Sequence, residues 1–110
     1  MSDFEEFHAH VYFDDKSIKD ARSLCETARD RFDIQMGRMH EKPVGPHPRW
    51  SCQLLIPADL FGQVIPWLSV NRGDLTIFIH GQSDNAYQDH TQHAMWMGEM
   101  LELKLDQFKQ

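Results

Sequence analysis

No apolar run in the sequence approaches the roughly 20 residues that a helix needs to cross a bilayer, so a helical membrane span is not expected. No cluster of Lys or Arg is present either, and the formal net charge is −6. A phosphate backbone repels such a surface, which argues against nucleic acid as a partner. The opening MSDFEEF is acidic and lacks the basic-then-apolar order of a secretory leader, so a cytoplasmic location is the default expectation. Cysteine is scarce: Cys25 and Cys52 stand in no metal-ligand spacing, and each falls on the apolar face of a predicted element. Both read as small core residues. Internal repeats and low-complexity stretches are absent.

Histidine, by contrast, is abundant, with seven in 110 residues. The hydrophobic share of 41% and charged share of 25% fit a globular protein, read here as one domain over residues 1–110. The stretch FHAHVYFD, Phe7 to Asp14, alternates Phe7, Ala9, Val11 and Phe13 with His8, His10 and Tyr12. A strand sends these two sets to opposite faces, leaving one apolar face and one bearing two imidazoles and a phenol.

The first strand is expected over about Glu6 to Phe13. Ser17, with Asp20 three residues on, has the spacing of a capping box, and Ile18, Ala21, Leu24, Cys25, Ala28 and Phe32 recur at helical period. A second strand is expected at about Ile34 to Glu41, followed by the stiff, proline-rich connector KPVGPHPRW. WSCQLLI reads as a third strand ending at Pro57. ADLFGQVIPWLSVN reads as a second helix with Leu60, Phe61, Val64, Trp67 and Leu68 inward, kinked or cut short at Pro66. LTIFIH is a fourth strand. A short helix over HTQHAMWM and a fifth strand in the alternating tail MLELKLDQF complete the reading. This order predicts an α+β, ferredoxin-like βαββαβ sandwich with a C-terminal extension, both helices covering one face of the sheet.

In that architecture the first and fourth strands are antiparallel neighbours, which brings His80 towards His8 and His10. Three converging imidazoles are a candidate site for a divalent ion. His47 sits between two prolines, in a loop able to hold its ring over such a site as a fourth ligand or an acid–base group. His90 and His93 could share a helical face, while His40 reads as a surface residue. Trp50 is the candidate pocket wall among the tryptophans, and Arg49 a candidate clamp for a substrate carboxylate.

Four segments in order, FHAHVYFD, PVGPHPRW, NRGDLTIFIH and DHTQHAMWMG, resemble the DOPA 4,5-dioxygenase family, over about Phe7 to Gly98. The chain departs from that family's pattern after His80, where Gly81-Gln82 replaces a His-Pro pair. The resemblance implies a ferredoxin-like fold and a non-haem Fe(II) enzyme that opens a catechol ring beside its two hydroxyls, using O2. It carries over His8, His10, His47 and His80 as motif histidines, with His90 beside them. The implied arrangement is an all-histidine metal face of His8, His10 and His80, with Glu41 an outside candidate for a carboxylate ligand. His47 would then take and return a substrate proton, and Tyr12, Phe78 and Trp50 would enclose the ring.

Two other classes fit the same residues. One is a zinc site activating water for a hydrolytic or lyase step; the other is a non-enzymatic dimer that holds a small aromatic molecule. On any of these readings a sheet face exposing Leu55 and Phe78 predicts a homodimer that closes a chamber around the histidines.

Overall fold

The computed structural model describes residues 4–108. Its elements are β1 (Glu6–Phe13), α1 (Ile18–Phe32), β2 (Gln35–Met36), β3 (Trp50–Pro57), a 3-10 turn (Ala58–Leu60), α2 (Phe61–Asn71), β4 (Ile77–Gly81), α3 (Ala86–Asp89), β5 (Met95–Met97) and a closing 3-10 turn (Asp106–Phe108). The strands form one antiparallel sheet in the order β2-β3-β1-β4-β5. Without β5 this is the ferredoxin-like order, as the sequence pattern implies.

Strand parity places the core. Ala9, Val11 and Phe13 of β1 share a face with Cys52, Leu54 and Ile56 of β3 and with Ile77 and Ile79 of β4. Against this face lie Ala21, Leu24, Cys25 and Ala28 of α1 and Val64 and Leu68 of α2. Burying each of the larger side chains is worth roughly 1.5–3 kcal/mol, so this layer supplies most of the drive to fold. Leu60, Phe61 and Trp67 pack at its margin, half-buried. Helix α2 runs through Pro66 to Asn71 instead of ending there. Proline removes only the hydrogen bond to the carbonyl of Gly62, and burial of Val64 and Leu68 on either side holds the helix to the sheet.

Several expected details differ. Ser17 precedes α1 but makes no side-chain cap. Asp14 instead shapes the turn before the helix: its Oδ1 accepts from the N–H groups of Lys16 and Ser17 and from the Ser17 hydroxyl, each at 2.9 Å. Strand β2 is only two residues long. The chain leaves the ladder after Gly37, whose N–H still reaches the Gln53 carbonyl, and rejoins β3 by a single bridge at His40. The short helix forms earlier than expected, at Ala86–Asp89, because the Asn85 side chain caps it by accepting from the Gln88 N–H. The fifth strand is Met95–Met97, not the alternating tail. With β4's free edge taken, the tail has no strand to join there. Instead, Lys104 N–H donates to the Pro46 carbonyl at 2.8 Å, tying the tail to the proline-rich loop.

These displacements change the second face of the sheet. Expected to lie open, it is covered by this chain's own loops: Phe78 is 0% exposed, Tyr12 2% and His80 2%. Leu55 remains half-buried. The case for a second copy that rested on an exposed Phe78 therefore lapses. Among the described residues, no helix is long and apolar enough to cross a membrane.

Candidate metal centre

The register of β1 with β4 sets His8 directly opposite His80 and His10 opposite Phe78. All four side chains stand on the face away from the helices. One ring nitrogen from each of His8, His10 and His80 lies within 4.8 Å of the others. The closest approach is His10 Nε2 to His80 Nε2, at 3.0 Å, with the two rings nearly parallel.

Hydrogen bonds decide which nitrogens are bare. A carbonyl only accepts, so the 2.9 Å contact of His80 Nδ1 with the Gly81 carbonyl puts the His80 proton on Nδ1. Its Nε2 therefore carries a lone pair, which here accepts from His10 Nε2. The same logic applies to His90, whose Nδ1 donates to the Ala86 carbonyl at 2.7 Å. Fixing the outer nitrogen in this way orients the inner one for an ion.

Burial keeps the group uncharged. Desolvation pulls His80 and His47 down to about 4, and holds His10 well below the ordinary histidine range. The neighbouring imidazoles add to this effect at all three. His8, at the rim, is lowered chiefly by burial and partly restored by Glu6, 3.8 Å away. Neutral imidazoles bind metals and protonated ones do not.

The spacing suits an ion. Two nitrogens each about 2.1 Å from one cation lie about 3.0 Å apart when their bonds meet at a right angle, and about 3.4 Å at a tetrahedral angle. The His10–His80 separation of 3.0 Å matches adjacent ligands as well as it matches a hydrogen bond. An all-imidazole donor set suits iron, zinc, copper or nickel and does not by itself select among them.

Around the cluster the wall is aromatic. Trp96, directly opposite Phe78 in the β4–β5 ladder, places its ring 4.5 Å from that of Phe78. His90 packs 4.1 Å from His80 and is backed by Phe108 at 4.4 Å. His47 is 6% exposed; its ring lies 4.1 Å from that of His10, and its Nδ1 is 2.7 Å from the Tyr12 hydroxyl. Phe4 lies against Gly81, in space that any Cβ at that position would claim.

Other expected residues lie elsewhere. Trp50 belongs to the helix-side face, opposite Phe13 in the ladder and ring-to-ring with it at 6.1 Å. It cannot enclose a ring bound at the histidines. Arg49 is exposed and paired with Glu99 at 2.8 Å. Both residues line a cleft of about 1040 Å³ at the far end of β1, with Phe13, Trp67 and Arg72; none of the histidines reaches it, although Tyr12 does. The cleft has charged groups of its own, Asp14, Asp20 and Asp74 beside Arg49 and Arg72, but the converging imidazoles are in the cluster. Glu41 is exposed and outside the ligand group.

Two features escaped the sequence pattern. Trp96 carried no periodic signal, because its position depends on β5 pairing with β4. Asp89 is a buried carboxylate, 1% exposed, that accepts from Ser83 N–H and Ser83 Oγ at 2.8 and 2.7 Å. It is close enough to raise the proton affinity of His8, His80 and His90, which burial lowers.

Comparison with known proteins bears on the fold and the family. A crystal structure from Nostoc punctiforme PCC 73102, described as a candidate dioxygenase, is 39% identical, with a TM-score of 0.91 over 94% of this chain and 90% of that one. An uncharacterized 21.2 kDa protein of Botryotinia fuckeliana is 39% identical over 94% of this chain and 63% of its own length. A DOPA 4,5-dioxygenase of Amanita muscaria is 29% identical over 94% of this chain and 50% of its own. The chain thus spans between half and two-thirds of the length of these two curated relatives. The profile of the Dopa 4,5-dioxygenase family matches residues 7–107, and the chain belongs to that family.

Proposed function

We propose that the protein is a non-haem Fe(II) dioxygenase that opens the ring of a catechol-type substrate next to its hydroxyls. The observation that carries this reading is the convergence of ring nitrogens from His8, His10 and His80 within 4.8 Å, on a face enclosed by Phe78 and Trp96. His8, His10 and His80 would hold the ion from the sheet side. When bound, Fe(II) supplies open positions and the electron that O2 needs for ring cleavage.

The protein's own groups account for the rest. Burial keeps His10 and His80 neutral at neutral pH; His80 Nε2 is bare, and His10 would carry its proton on Nδ1 to present Nε2 to the ion. Phe78 and Trp96 offer an apolar surface to a flat ring and exclude water from it. His47, next to His10 but outside the ligand group, is placed to meet a substrate oxygen. His90 and Phe108 close the opposite side.

Metal analysis of freshly purified protein, then oxygen uptake with a panel of catechols after anaerobic Fe(II) loading, tests the proposal. Iron-dependent oxygen consumption matched to substrate loss is the expected result. A zinc-dependent hydrolase or lyase is the rival the donor set equally permits. Turnover that persists without oxygen would establish that rival instead.

A further inference from the structure

We infer that Tyr12 is a positioning residue that holds His47 in the tautomer carrying its proton on Nε2, so that His47 faces the cluster as a hydrogen-bond donor. In that form it is neither a fourth metal ligand nor a base through Nε2. Only the identity of what the donor meets rests on the proposed function.

The argument is one of hydrogen-bond accounting. Tyr12 is 2% exposed, and among the described residues its hydroxyl makes one hydrogen bond, to His47 Nδ1 at 2.7 Å. A buried O–H left without an acceptor is costly, so the phenol must donate and His47 Nδ1 must accept. A neutral imidazole has one donor and one acceptor nitrogen, which places the His47 proton on Nε2. The reverse arrangement, Nδ1–H donating to the phenol oxygen, strands the phenolic hydrogen. Burial favours the neutral form of both partners: it lowers His47 and raises Tyr12 from their ordinary values.

The neighbouring histidines show the opposite case. His80 and His90 each turn Nδ1 to a backbone carbonyl, so their protons sit on Nδ1 and their Nε2 atoms are bare. The site thus sorts its imidazoles by partner: carbonyls prepare an acceptor, and the phenol prepares a donor. The His47 ring lies 4.1 Å from that of His10 and outside the ligand group.

The loop around His47 preserves the geometry. Pro46 and Pro48 flank it, its own N–H donates to the Val44 carbonyl at 3.0 Å, and the Pro46 carbonyl accepts from Lys104. His47 Nε2 makes no hydrogen bond within the described residues, yet no buried side-chain nitrogen or oxygen there lacks a partner. Nε2 therefore opens onto solvent-accessible space, where an oxygen of a bound ligand can accept its proton in a hydrogen bond.

The test is nitrogen-15 NMR of the full chain with labelled histidine, metal-free and then loaded with Zn2+. The expected spectrum shows His47 protonated at Nε2 and bare at Nδ1 in both states, while the resonances of His8, His10 and His80 move on loading. Tyr12→Phe should cut the His47 tautomer ratio by roughly tenfold, the worth of one hydrogen bond, and leave Zn2+ affinity at the parent's value. A parent protein with His47 protonated at Nδ1 would overturn the inference, as would loss of the Nε2 proton on metal loading. An unchanged ratio in Tyr12→Phe would remove Tyr12 from the account. The parent measurement needs no variant to fold, and its metal-free half decides the tautomer whether or not the protein proves to use iron.

Discussion

On one side of β1, Ala9 and Val11 lie wholly buried against Leu54, Ile56 and the two helices; one residue along, on the other side, His10 and Tyr12 are 5% and 2% exposed. The two faces are almost equally dry. On the helix side, contact is dispersion and excluded water, which any well-fitting apolar group can supply. On the histidine side every nitrogen and hydroxyl needs a partner of the right kind, and the partner dictates where each proton sits. Burial on the first face stabilises the fold. Burial on the second keeps imidazoles neutral and their lone pairs directed, at some expense of stability in acid.

If the faces divide the work this way, substitutions should separate along the same line. Leu54→Ala empties a fully buried position on the helix side and should lower stability by about 2–5 kcal/mol in urea unfolding, with the folded protein keeping its Zn2+ affinity. A matching loss of metal binding would show that the layers are not independent. His80→Ala should strike the metal site first. Calorimetric titration of the folded protein should find a loss beyond the roughly 10- to 100-fold that an outer hydrogen-bond partner is worth, while the emptied position and the unpaired His10 lower the urea midpoint as well. Undiminished binding would move the metal site elsewhere.

Mild acid, above the carboxylate range, should act chiefly on the histidine face. His47 and His80 hold to about 4 in the folded protein, below the 6.5 of a free imidazole. Between those values the unfolded chain binds protons that the folded one refuses, so stability falls as pH drops through that window. Above about pH 6.5 neither imidazole contributes any slope. The loss approaches roughly 3 kcal/mol for each such imidazole near pH 4, and unfolding curves across this range check it. Saturating Zn2+ should offset part of the loss at the upper end of the window, because only the neutral site binds.

Smaller effects mark the edges of the division. Ser83→Ala removes one donor from the buried Asp89 carboxylate and should cost roughly 1–3 kcal/mol, visible as a lower thermal midpoint. Arg49→Ala breaks an exposed pair with Glu99 and should change stability by less than about 1 kcal/mol, leaving metal affinity untouched. A marked fall in affinity would bring Arg49 back to the site.

The convergence of His8, His10 and His80 was legible because it needs only two things: period-two alternation and an antiparallel β1–β4 pair. His47's enclosure was signalled by its flanking prolines. Trp50's true side was also legible, since it shares strand parity with Cys52, Leu54 and Ile56 and so belongs with the core. Trp96, Asp89 and the depth of His90 were not. Each depends on β5 taking the free edge of β4 and on the 81–93 loop folding over the histidines, and no local periodicity encodes either event.

Alternation and helical period, acting over a few residues, therefore determined which side chains share a face and which strands carry the histidines. The tertiary structure decided that the second face is closed by its own chain, that the tail forfeits a strand, and that Tyr12 and not a carbonyl meets His47. The physical reason is that strand edges and hydrogen-bond partners are limited. Which segment claims each one is settled by competition among residues far apart in the chain.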